Sequence, residues 1–351
     1  MDTNYFMFET IDSFLSSLNS LPAAEVEFQE AAQTRQAQLT KPNGSLGRLE
    51  DIAIWLAGWQ GRECPKLDQI SAFVFAGNHG VVEEGISPFP ATVTEQMVQN
   101  FNNGGAAINA LTTVFGHELS VIPLHLDQPT KNITLAAAMT EEETLEALNI
   151  GASCVKNCDA DLVYFGEMGI GNTTIASTLA AATCGGCGAD WAGPGTGLTS
   201  EGVELKSDVI DRALEFHKLK RDKKTEAGSS SPIDIIRLVG GREQAALLGA
   251  VVAARLKRIP VLLDGFVVTA AVAPLSLLEV NALDHCWAAH CSAEPAHQRL
   301  LDCLWLEPLL NLNMRLGEGT GAALAEELVN GAVTTHAHMA TFEEAAISNR
   351  D

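Results

Sequence analysis

Two glutamates stand in turns that ordinarily exclude them. Glu167 lies in GEMGIGNTT (166–174) and Glu318 in RLGEGTGAAL (315–324), each directly after a glycine. Such loops usually cradle anions with bare backbone N–H groups, a task that a carboxylate opposes. Two readings stand for each: a solvated turn carboxylate, or a positioned base that the low side-chain bulk around it lets a ligand approach. Composition does not separate them. Gly169, Gly171, Asn172 and Thr173 of the first loop, Gly195 and Gly197 of GPGTGL (193–198), and Lys206 beyond it supply free N–H groups, hydroxyls and an ammonium. That set suits a phosphate.

Several common chemistries are missing. GxxxxGK[ST] does not occur, and GxGxxG fails because the third position after Gly171 is Thr174. PVLLDGF (260–266) carries one acid, Asp264, where a phosphoribosyl diphosphate site shows a pair, and no GxSxG elbow presents a serine nucleophile.

The elements that must position these groups alternate. β-branched and aromatic runs at 70–77, 119–126, 160–167, 259–265 and 285–292 predict strands, and Ala-rich or amphipathic stretches between them predict helices. Strand–helix alternation implies a mostly parallel, doubly wound α/β sheet. Polar and glycine residues gather after four of the strands, at the carboxyl ends where such sheets bind ligands. The first sixty or so residues read as helical, residues 221–232 as an exposed loop, and the tail after about residue 330 as a polar helix.

A net charge of −22 excludes nucleic acid as the expected partner, since a phosphate backbone needs a basic footprint. The apolar region 259–280 is broken by Asp264, Gly265 and Pro274, which predicts strand, turn and helix rather than a membrane span. The start, MDTNYFMFETIDSFLSS, has no basic leader region, and the expectation is a cytoplasmic location. The eight cysteines, with one CxxC at Cys184–Cys187, are expected to be reduced, and no metal or cofactor is assigned.

KPNGSLGRLE (41–50), FAGNHGVVEEGISPFP (75–90), VTEQMVQNF (93–101), GEMGIGNTT, GPGTGL, PVLLDGF, HCSAEP (290–295) and RLGEGTGAAL occur in this order. Together they resemble the nicotinate-nucleotide–dimethylbenzimidazole phosphoribosyltransferase family, over about Lys41 to Leu324. The resemblance implies a Rossmann-like sheet and a small helical domain built from both chain ends, here 1–60 and 331–351 around a large domain at 61–330. It implies a homodimer that acts on nicotinate mononucleotide and a benzimidazole-type base, without a cofactor. It places the base on Glu318 with Leu316 and Gly317 beside it, Glu167 in the site, and Lys206 near the phosphate. Asp264, Gly265 and Ser292 are expected to hold ribose or phosphate, and Ser87, Phe89, Pro90, Gln96 and Met97 to wall the aromatic base. Cys291 departs from the pattern, where arginine is expected. The alternatives weighed beside this reading are an NAD(P)-dependent oxidoreductase and a non-catalytic nucleotide-binding protein.

Overall fold

The computed structural model describes residues 7–195, 197–221, 231–278 and 281–348. Most of the expected loop at 221–232 therefore lies outside the described residues. Six strands form one sheet: β1 (Ile70–Ala76), β2 (Glu118–Pro123), β3 (Leu162–Met168), β4 (Val261–Leu263), β5 (Cys286–His290) and β6 (Pro308–Leu310). Their order is β2-β1-β3-β4-β5-β6, and every neighbouring pair is parallel. Five strands fall where the apolar runs predict them. β6 is an addition: three residues long and partly exposed, it is too short to leave a periodic signal.

The inner strands are apolar nearly throughout because helices cover both faces of the sheet. Side chains alternate between those faces. Phe73, Phe75, Val163 and Phe165 join the core that contains the helices Glu141–Asn157 and Arg242–Leu256. Ala72, Val74, Leu162 and Tyr164 point the other way, toward the helices Arg48–Gln60, Ala107–Phe115 and Thr320–His338.

The segments around 35–39 and 336–341 meet, while Met7 and Phe8 bond instead to Asn149. Arg35, on the helix Val26–Gln38, donates to the carbonyls of His336 and Ala337, both at 2.9 Å, and Leu39 bridges Thr341. The expected boundary at 330/331 falls inside the helix Thr320–His338, and the residues beyond it form turns rather than a further helix. The expectation that all cysteines are reduced fails at one pair. Cys184 is joined to Cys303, 119 residues away, and not to its CxxC neighbour Cys187. The fold brings the ends of Asn172–Cys184 and His297–Leu304 together, a contact that sequence spacing does not report.

Candidate active site

The loops after β3, β4 and β5 and the segment before the helix Thr320–His338 enclose a cleft at the carboxyl ends of the strands. Glu167, Gly169, Asn172, Thr173, Gly195, Gly265, Ser292, Leu316 and Gly317 line it. An adjoining cleft shares Gly169, Asn172 and Thr173 and adds Ser87, Gly171 and Lys206. A larger hollow of about 570 Å³, around Arg48, Trp287 and Trp305, includes the start of β5 and none of these residues.

Glu318 is 6% exposed and is not among the lining residues; it follows Gly317, which is, in an unusual backbone. Gly317, Glu318 and Gly319 have φ of +80°, +63° and +86°, three consecutive left-handed residues. For glutamate that conformation costs on the order of 1 kcal/mol, and such strain concentrates where function demands it. The glycines around it have a packing reason. A Cβ on Gly166 of β3 would lie 2.2 Å from the Glu318 carbonyl carbon, and one on Gly317 would lie 2.5 Å from Glu167 Oε1. The bare backbone thus lets β3 and the turn touch directly and brings the two glutamates together. Gly166→Ala is expected to cost about 1–3 kcal/mol, because backbone on both sides must move. Urea unfolding and turnover, measured on one preparation, should both worsen; unchanged turnover would show that Glu318 tolerates displacement.

Burial and mutual repulsion set the charge states. The Glu318 carboxyl is pushed up to about 7, first by desolvation and then by the Asp264 charge. Glu167 is raised well above the ordinary range by desolvation and by Asp264, Glu243 and Glu318, which favours its protonated form. Its Oε2 accepts a hydrogen bond from Asn172 Nδ2. Lys206 is buried, with Nζ 3.0 Å from both Thr173 Oγ1 and the Gly193 carbonyl oxygen. Desolvation lowers it to about 8, partly offset by the Glu294 carboxylate.

Asp264 does not line the cleft. It is 1% exposed, and its two oxygens accept the amides of Gly319 (3.1 Å) and Ala322 (2.9 Å). These are orphan N–H groups at the start of the helix Thr320–His338, so the carboxylate caps the helix that carries Glu318. The expectation that it holds ribose or phosphate gives way to this inward role. The wall residues also divide. Phe89, Pro90 and Gln96 are exposed and line neither cleft, and Met97 packs against the core. Gly197, at φ +118°, faces open space.

Sequence reasoning passed over three groups. His290 lines the cleft 3.7 Å from Asp264 Oδ1, and Glu294 lines it close to Gly193 and Gly195. Arg315 ties two loops by donating to the Gly195 carbonyl at 2.8 Å. His290 and Glu294 lie in HCSAEP and Arg315 opens RLGEG, so their neighbours were the available signal. Behind Gly169, His79 and Glu243 form a fully buried pair at 2.6 Å. Cys291, the departure from the pattern, is buried beside Leu301 and Gln298 and does not line the cleft.

Fold and site define an α/β enzyme with a cleft at the carboxyl ends of a parallel sheet and, next to its lining, a carboxyl that burial raises. A family model described as Phosphoribosyltransferase matches residues 21–347. A nicotinate-nucleotide–dimethylbenzimidazole phosphoribosyltransferase from Novosphingobium aromaticivorans is 52% identical over 342 residues, covering 97% of this chain and 98% of that protein. Its counterpart from Mesorhizobium japonicum is 50% identical, with 98% and 99% covered. The crystal structure of CobT from Thermus thermophilus superposes with a TM-score of 0.85 at 38% identity, over 92% of this chain and 100% of that one. The chain belongs to the nicotinate-nucleotide–dimethylbenzimidazole phosphoribosyltransferase family.

Proposed function

We propose that this enzyme transfers the 5-phosphoribosyl group of nicotinate mononucleotide to 5,6-dimethylbenzimidazole. The products are α-ribazole 5′-phosphate, for the cobalamin nucleotide loop, and nicotinate. The observation that carries the residue roles is Glu318, held in a left-handed turn with its carboxyl raised to about 7. Such a group is a carboxylate at slightly alkaline pH and retains affinity for a proton, as a general base should.

The charge balance fits that base. Nicotinate leaves as a pyridine from a pyridinium, so the glycosidic electron pair neutralises it and no general acid is required. One benzimidazole nitrogen attacks C1′ from the opposite face, inverting β to α, while the other nitrogen gives its proton to Glu318. In this reading Lys206, Thr173 and Asn172 receive the phosphate near the start of Asn172–Cys184, where helix amides favour an anion. Developing positive charge on the ribose is stabilised by the nearby Glu318 carboxylate.

Cytoplasmic residence and a homodimer belong to the same reading. Among the described residues no helix is long and apolar enough to cross a membrane. Incubating the protein with nicotinate mononucleotide and dimethylbenzimidazole should release nicotinate and an α-ribotide in equal amounts, read by chromatography. Formation of neither product refutes the reading.

A further inference from the structure

Away from the cleft, the fold gathers three ligand-type side chains that the reaction does not use. His117 follows the helix Ala107–Phe115 directly before β2, and Glu326 and Glu327 lie on Thr320–His338. One donor atom from each falls within 4.8 Å of the others. His117 Nε2 approaches Glu326 Oε2 to 2.8 Å, with side-chain exposures of 4% and 0%.

An ordinary buried ion pair would satisfy its carboxylate. Here Glu326 Oε2 has only the His117 ring beside it, and Oε1 has no hydrogen-bond donor among the described residues. A carboxylate oxygen left without a donor at zero exposure is costly, and Glu327 at the rim adds a second carboxylate to the group. The other ring nitrogen is already engaged: Nδ1 lies 3.1 Å from the Tyr164 hydroxyl. Metal-bound histidines are oriented in this way, with the second nitrogen bonded to a fixed partner.

We propose that His117, Glu326 and Glu327 form a binding site for a first-row divalent cation. One imidazole and two carboxylates are the donor set that manganese, iron and zinc accept, with further positions left to water. The cation braces Thr320–His338, behind the turn that carries Glu318, against the start of β2 and, through Tyr164, against β3. Its role is structural, and the proposal does not rest on the proposed reaction.

Mn²⁺ is the suitable probe, because carboxylate and imidazole suit it while the six free cysteines compete for it weakly. Full-length protein stripped with chelator is titrated with Mn²⁺ and followed by electron paramagnetic resonance. Wild type should bind Mn²⁺ saturably with spin-echo modulation from an imidazole nitrogen, and its thermal midpoint should rise on saturation. Glu327→Ala, at the rim, should weaken binding about tenfold or more and leave the metal-free thermal midpoint unchanged. His117→Gln should remove the nitrogen signal. Absence of saturable binding, wild-type affinity in Glu327→Ala, or a nitrogen signal that persists in His117→Gln would each overturn the site and leave a plain histidine–glutamate pair.

Discussion

Glu318→Gln should lower turnover about 10²–10⁴-fold while the protein folds as well as or better than the wild type. Glutamine keeps the shape and the left-handed turn but cannot take the proton from the incoming base. In the wild type, activity should rise with pH through about 7, where the Glu318 carboxyl ionises, and then level off. The variant's residual activity should lack that step. Stability moves in the opposite sense. The folded-state pKa of about 7 lies above the ordinary 4.5, so between these values the native state holds a proton that the unfolded chain has released. Stability therefore falls as pH rises through that window, and the full penalty stands above pH 7. The glutamine variant escapes it, by on the order of 3 kcal/mol at most. Denaturant unfolding at pH 6 and pH 8.5, beside a pH–rate profile, checks both halves; wild-type turnover in the variant would remove Glu318 as the base.

Asp264→Asn tests the residue that holds the base in place. Both carboxylate oxygens of Asp264 accept amides at the start of the helix Thr320–His338. Asparagine keeps one acceptor and turns an N–H₂ group toward an N–H, leaving buried donors unsatisfied at a cost of about 1–3 kcal/mol. A shift of the Glu318 turn by about 1 Å is expected to cost about 10²-fold in turnover. Helix destabilisation alone would produce those losses. The distinguishing readout is the pH profile: Asp264 raises the Glu318 carboxyl, so its replacement should move the midpoint below about 7. A midpoint that stays put would mean that Asp264 supports the helix without tuning the base.

The sheet was legible because its signals are local. Continuous apolar runs such as ISAFVFA and LVYFGEM encode buried parallel strands, and the intervening helices carry their own periodicity and caps. The loops that form the cleft were legible for the same reason, since GEMGIGN, GPGTGL and HCSAEP each lie within one short segment. The wall residues were less so. Ser87 reaches the cleft region, whereas Phe89 and Pro90, three residues or fewer away, project into solvent. One loop conformation separates them, and sequence order does not specify it.

By itself, the sequence determined a doubly wound parallel α/β protein, the order of its loops, and two glutamates set in glycine-rich turns. Only the tertiary structure decided what those residues face. It turned Asp264 inward onto a helix start, joined Cys184 to Cys303, and buried His117 against Glu326. It also explained the glycines around Glu318 as room for direct contact between β3 and the turn. Turn and strand preferences act between near neighbours, so they are written along the chain. Desolvation, charge repulsion and close backbone contact act between residues that only folding brings together, and they raise Glu318 to about 7.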